Sequence, residues 1–383
     1  MKIELSFKPL VAALALLGST VALADINIGV SVSATGPAAV LGGPQKNTTQ
    51  LFPTSIAGEK INLIVLDDAS DPTATAKNVS KLLTEHKVDV LFSGTTTPGV
   101  MATAGPAADS KTPLIALAPN RLDGEKFKWT FTMPQPIALM AEPLLEHAKA
   151  KGYKTMAFLG YFPDAYGEVW KNAMEAMAPK YGITFGPIEG FARTDTSVTG
   201  QVVKLVSMKP DAVLVVASGS PAAMAHSTLT DRGYRGQIYQ THGAPSPAFL
   251  KNGGKAVENG VVVAGPLLEW DQLADGHPSK KVGADYAKRY EDMYGANTMG
   301  PQGGHLWDAV LVLQHATPAA LKKGRPGTPE FRQALRDAVE SERNMVVSHG
   351  VLNMSATDHF GHDERARVLL RVENGAFKLV SGK

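Results

Sequence analysis

Short apolar runs along this chain alternate with segments whose apolar positions recur at helical spacing. Ile26–Ser33, Ile61–Leu66, Val88–Phe92 and Thr112–Leu117 are continuous apolar runs of strand length. Ala34-Thr35-Gly36-Pro37 breaks the first, and Leu41-Gly42-Gly43-Pro44 prolongs that loop before a short helical piece, Gln45–Leu51. Asp71-Pro72 caps a helix over Thr73–Glu85, with Ala76, Val79, Leu82 and Leu83 on one face. Pro98 opens an Ala-rich helix between the third and fourth runs. Phe127–Met133 is a further extended piece, and the prolines at 134 and 136 mark a linker. The alternation then restarts. Helices over Ile137–Lys151, Gly167–Tyr181, Val198–Met208 and Pro221–Arg232 separate strands at Thr155–Gly160, Ile183–Phe191, Ala212–Ala217 and Gln237–Thr241, and Gly260–Ala264 adds one more. Helices Lys280–Tyr294, Gly304–Leu321 and Thr328–Glu342 follow. A β-rich tail, Gly350–Met354 and Arg365–Val380, turns at Glu373-Asn374-Gly375.

Strands buried on both faces and separated by helices predict parallel sheets. The pattern predicts an α/β protein of two similar doubly wound lobes with parallel sheets, joined by a hinge of several crossings. The expected division is 25–133 plus 267–360 for the first lobe and 134–266 plus 361–383 for the second, because the late helices and strands must return to cover both sheets.

Composition narrows the class. The 383 residues are 44% hydrophobic and 19% charged, enough for two ordinary cores. A formal charge of +2 without a basic block excludes nucleic acid as a partner. Residues 1–24 have the pattern of a secretory signal peptide: Lys2 and Lys8, an apolar run at Leu10–Leu17, and Ala22-Leu23-Ala24 before a cleavage after Ala24. That run is far shorter than the ~20 residues that span a bilayer. With no cysteine, there is neither a disulfide nor a lipid attachment point, so a free periplasmic protein is expected.

The chemistry concentrates in Leu91–Asn120. One strand ends in Gly94 and three threonines, and the next ends in Ala118-Pro119-Asn120. Two parallel strands thus bring small polar residues to one sheet edge, where ligands of open α/β sheets sit. Threonine hydroxyls and free amides at a helix start suit an anion. The same threonines would also serve as ordinary helix caps. Nucleophile elbows, phosphate loops, H-E-x-x-H and G-x-G-x-x-G are missing, which leaves a hydrolase as a remote alternative. Asp358-His359-Phe360-Gly361-His362-Asp363 lacks a full ligand series, so neither a metal nor another cofactor is expected.

Several stretches in this order resemble the periplasmic leucine/isoleucine/valine-binding protein family, the type I solute receptors of ABC importers. They are Ser33–Pro37, Asp67–Pro72, the threonine run, Asp164-Ala165-Tyr166-Gly167-Glu168, Lys209-Pro210-Asp211-Ala212, Gly304–Ala309 and Gly350–Met354. The resemblance implies a monomeric receptor that closes two lobes on a small carboxylate and delivers it to an inner-membrane permease. It implies ligand contacts at Thr96, Thr97, Ala118 and Asn120 in the first lobe. In the second it implies Tyr166, Ser218 and His242, with Leu41 over the side-chain pocket. A sensing domain for a signalling partner is the other class this fold would serve.

Three departures matter. The family's carboxylate for an α-ammonium is replaced by Thr241-His242-Gly243. A buried ammonium without its partner costs ~3–5 kcal/mol, or ~2–4 powers of ten in affinity. Arg193 follows a second-lobe strand, where it would meet an acidic or phenolic group or pair with Asp195. The family's long first helix is largely missing between Leu41 and Ile61. The expected ligand is therefore an amine-free carboxylate, an aromatic acid above all, with branched-chain amino acids as the alternative.

Overall fold

The apolar runs of the first third form one sheet. In the computed structural model, which describes residues 25–382, it comprises β1 (Ile26–Val32), β2 (Ser55–Ile56), β3 (Glu59–Asp67), β4 (Val90–Ser93), β5 (Leu114–Ala116) and β6 (Thr130–Thr132). The signal-peptide segment lies outside the described residues. Strand order is β2-β3-β1-β4-β5-β6, and all pairs are parallel except the short β2–β3 ribbon. Between these strands lie α1 (Ala39–Thr48), α2 (Pro72–Thr84), α3 (Thr97–Asp109) and α4 (Gly124–Lys128). The start of α2 follows the sequence: Asp71 accepts from the amides of Thr73 and Ala74, with Pro72 at the first helical position.

A second sheet begins after α5 (Ile137–Ala150). It takes β7 (Thr155–Tyr161), β8 (Thr184–Phe191), β9 (Ala212–Val216), β10 (Gln237–Gln240) and β11 (Val261–Ala264), interleaved with α6 (Ala165–Met177), α7 (Thr199–Met208), α8 (Gly219–Asp231) and α9 (Pro247–Gly253). The chain then runs through α10 (Ser279–Tyr294), α11 (Pro301–Ala320) and α12 (Pro329–Ser341), and through a ribbon of β12 (Met345–Val347) and β13 (Gly350–Leu352). It ends in β14 (Val368–Glu373) and β15 (Ala376–Gly382), which complete the order β15-β14-β11-β10-β9-β7-β8. Asn374 and Gly375 both have positive φ, the geometry of a tight hairpin turn, and Glu258 accepts both of their amides.

Packing shows how the chain returns. Leu306, Val310 and Leu313 of α11 and Phe331 and Leu335 of α12 share a core with Ile28, Val30 and Phe92 of the first sheet. β14 instead joins the core of the second sheet, with Leu370 and Val372 beside Val261 and Val263. No helix among the described residues is long and apolar enough to cross a membrane.

Two segments differ from the sequence reading. Residues 41–44, expected as loop, lie inside α1, which begins at Ala39. Two glycines and a proline oppose a helix by about 1 and 3 kcal/mol each, so tertiary packing decides here. A Cβ on Gly42 would lie 2.0 Å from the Ser33 carbonyl oxygen, so only glycine lets α1 rest on the end of β1. At its far end, Thr48 Oγ1 lies 2.8 Å from the Tyr286 hydroxyl. Much of the first helix judged missing is therefore present. The second segment is Phe127–Met133. Phe127 ends in α4, and β6 is an edge strand of the first sheet with Trp129 and Phe131 buried, so the passage out of the sheet starts only at Met133.

Candidate functional site

Five helices begin around one cavity. α3, α6 and α8 each follow the carboxyl end of a parallel strand, and the starts of α1 and α11 complete the wall. Each helix start presents the positive end of its dipole, although the amides of Ala39, Gly99, Tyr166 and Gly219 already have acceptors within the protein.

In the first sheet, the three threonines after β4 have separate tasks. Thr95 Oγ1 donates to Gln45 Oε1 at 2.6 Å and accepts from the Ser33 amide at 2.9 Å. Thr96 caps α3 by accepting from the Gly99 amide at 3.3 Å, and Thr97 Oγ1 donates to the Pro119 carbonyl at 2.7 Å. All three line the cavity, as do Ala118 and Leu41. Asn120 does not. Its side-chain amide donates to Thr132 Oγ1 at 2.9 Å and to the Ala118 carbonyl, so it ties the loop after β5 to β6.

Across the cavity, Asp164 caps α6 by accepting from the Tyr166 amide. Tyr166 points its hydroxyl at Thr241 Oγ1, 2.8 Å away, and burial pushes its pKa up to about 12. Arg193 pairs with Asp164, not Asp195: Nε and Nη2 each lie 2.9 Å from a carboxylate oxygen, and the guanidinium sits 4.2 Å over the Tyr161 ring. Asp195 accepts the Ala192 amide instead. Nη1 stays outside the Asp164 fork, and Arg193 lines the cavity together with Ser218 at the α8 cap.

His242 follows β10 and packs against Tyr166 and Trp170, with ring centroids 6.3 and 5.8 Å away. Burial lowers its pKa to about 3, helped by His349 and His362 nearby, so the ring is neutral at physiological pH. Both ring nitrogens are buried without a hydrogen-bond partner among the described residues.

Sequence reasoning missed two lining residues, Gln302 and His305. The sequence pattern started their helix at Gly304 and marked neither as a ligand contact. α11 instead starts at Pro301, and Gly300-Pro301 was the available signal for an earlier start. Both His305 nitrogens and Gln302 Oε1 are buried and unpartnered among the described residues. The His305 ring packs against His349 with centroids 4.0 Å apart, and His349 Nδ1 lies 2.8 Å from Asp308 Oδ2. Asp308 also accepts the amides of Ser348 and His349. Trp307 stacks with Tyr286.

No Asp or Glu lines the cavity among the described residues. Five helix starts and Arg193 make it a place for negative charge. The Asp358–Asp363 segment is spent on structure: His359 stacks on Phe127 and Phe131, His362 Nε2 lies 2.8 Å from the Met133 carbonyl, and Asp363 pairs with Arg365. Among the described residues, no group of three metal-ligating side chains occurs.

A family model described as "Periplasmic binding protein" matches residues 25–374. The chain belongs to that family, in its type I branch. An extracellular ligand-binding receptor from Rhodopseudomonas palustris HaA2 has the same fold at a TM-score of 0.92 and 42% identity, covering 94% of this periplasmic binding protein and 100% of the receptor. A leucine-binding protein from Thermotoga maritima aligns at a TM-score of 0.80 and 20% identity, covering 93% and 98%. An ABC-transporter solute-binding protein from R. palustris, solved with benzoate, aligns at 0.79 and 16% identity, covering 94% and 96%. At these lower identities the likeness is one of fold. Among curated proteins, no sequence match was found.

Proposed function

We propose that this periplasmic binding protein is the solute receptor of an ABC importer, and that its cavity captures a small amine-free carboxylate, an aromatic acid above all. The observation that carries the reading is the cavity wall: five helix starts and Arg193, with no carboxylate among the described residues to meet an ammonium. The carboxylate contacts proposed are the Thr96 amide and hydroxyl, the Thr97 amide, Ala118, Ser218 and Arg193. Leu41, Tyr166 and His242 would enclose the rest of the ligand. Asn120 acts by holding the Ala118 loop. The fold itself accommodates an aromatic acid, since one distant relative was solved with benzoate.

The mechanism is hinge closure, a movement already known for periplasmic binding proteins as a class. The lobes proposed are 25–133 with 267–360 and 134–266 with 361–383, which accords with each sheet's core drawing on late segments of the chain. Closure follows ligand only if the closed state makes contacts that the open one lacks. Residues from both sheets around one cavity provide them. The closed monomer would then dock on a membrane permease, after export and cleavage behind Ala24. Calorimetry with benzoate, other aromatic acids, leucine and valine tests the reading. It expects an aromatic acid to bind and the amino acids not to.

A further inference from the structure

The cavity has two unlike ends. Thr96, Arg193 and Ser218 also line a second pocket with Ser70 and the exposed Pro37 and Thr194, so they mark the mouth. Gln302, His305 and His242 line only the inner cavity. Between them, these three side chains hold five polar atoms that are buried without partners among the described residues. His305 is 5% exposed, His242 6% and Gln302 7%, so bulk water does not serve those atoms.

We infer that this inner end recognises a neutral hydroxyl group on the bound acid, with His305, His242 and Gln302 as the residues that select it. The inference rests on the carboxylate reading of the cavity and adds the second functional group of the ligand.

Hydrogen-bond bookkeeping supports it. A neutral imidazole offers one donor and one acceptor, and Gln302 Oε1 only accepts. Burial holds His242 and His305 neutral, well below the ordinary imidazole range. A hydroxyl donates once and accepts twice, so it can give its proton to Gln302 or an imidazole nitrogen while taking one from a ring N–H. A second carboxylate would have nothing to give to Gln302. An ammonium could not accept from either ring and would find no counter-charge. A plain hydrocarbon edge would leave every one of these atoms unpaired. His305 also packs against His349, with ring centroids 4.0 Å apart and the rings tilted by 36°, and Asp308 anchors His349.

The test is calorimetry on the mature chain with benzoate and phenylacetate, each with and without a ring hydroxyl at the 2, 3 or 4 position. One hydroxyl isomer should bind about 10- to 100-fold more tightly than its parent acid, the range of one or two buried hydrogen bonds. The corresponding methoxy acid, which keeps the acceptor but cannot donate, should lose that gain. His305→Phe, which preserves a ring on His349, and Gln302→Leu should each shrink the ratio of hydroxylated-acid to parent-acid affinity. Equal binding of every parent and hydroxylated acid by the unaltered protein would overturn the inference and leave the carboxylate reading standing. So would a preference that survives both substitutions. Failure of every aromatic acid to bind would remove both readings together.

Discussion

Replacing Arg193 by Met should weaken binding of every carboxylate and raise no new preference. The guanidinium holds Asp164 through two 2.9 Å contacts, and the two side chains are 22% and 15% exposed. A hydrogen bond to a charged group is worth ~1.5–3 kcal/mol, so losing the ligand contact proposed for Nη1 predicts a ~10- to 150-fold rise in Kd. The damage has a second source. Arg193→Met would leave Asp164 unpaired behind the ligand, where its charge repels a carboxylate. Arg193→Met with Asp164→Asn should therefore bind several-fold better than Arg193→Met alone, because Asn still caps α6. Arg193→Lys keeps the charge but not the fork, and should fall between Arg193→Met and the original protein. Calorimetry at fixed ionic strength reads all four proteins, with cooperative thermal unfolding as the check on folding. An Arg193→Met protein that unfolds cooperatively and binds every acid within twofold of the original would refute the reasoning.

Gly219 starts α8 with φ +55, and a Cβ there would meet Val40 Cγ1 of α1 at 2.3 Å. Gly219→Ala should hinder the approach of the two sheets, and Val40→Ala should restore part of the lost affinity. An equal Kd for Gly219→Ala and the parent would count against closure at this contact. Thr97→Val removes the donor to the buried Pro119 carbonyl and should cost about 1 kcal/mol of stability, with affinity lowered alike for all acids; an altered order of preference among acids would contradict the role given to Thr97. Stability should also fall with acid. His242 and His362 have folded-state pKa values lowered to about 3 and about 4, and that of His305 is held well below its ordinary value. Below the ordinary value of 6.5 the unfolded chain therefore binds more protons than the folded one. The urea midpoint should be steady above about pH 6.5 and drop as pH falls toward about 4. His242→Phe, which leaves nothing to protonate at that position, should flatten part of the drop. A midpoint unchanged across that range would contradict the burial of these rings.

What the sequence made legible was local. Asp71-Pro72, Asn374-Gly375 and the apolar runs each declare their structure within a few residues, and the threonine run sits where strand-to-helix alternation puts it. What it hid was set by distant parts of the chain. Gly42, Gly43 and Pro44 argue against a helix until α1 packs on the end of β1. Arg193 has an acidic neighbour in Asp195, yet its partner Asp164 is 29 residues away, brought close by the pairing of β7 with β8. His305 and Gln302 gave no ligand signal because their surroundings depend on where α11 lands after the chain has built the second sheet. Asn120 shows the converse: the resemblance pointed to the loop after β5, but in the structure its side chain faces Thr132.

The most direct test of the central claim is calorimetric titration of the mature protein with an aromatic-acid panel set beside leucine and valine. An amine-free aromatic acid should bind, with the amino acids showing no heat of binding at the same concentrations. Tight binding of leucine or valine, with none of any aromatic acid, would contradict the account.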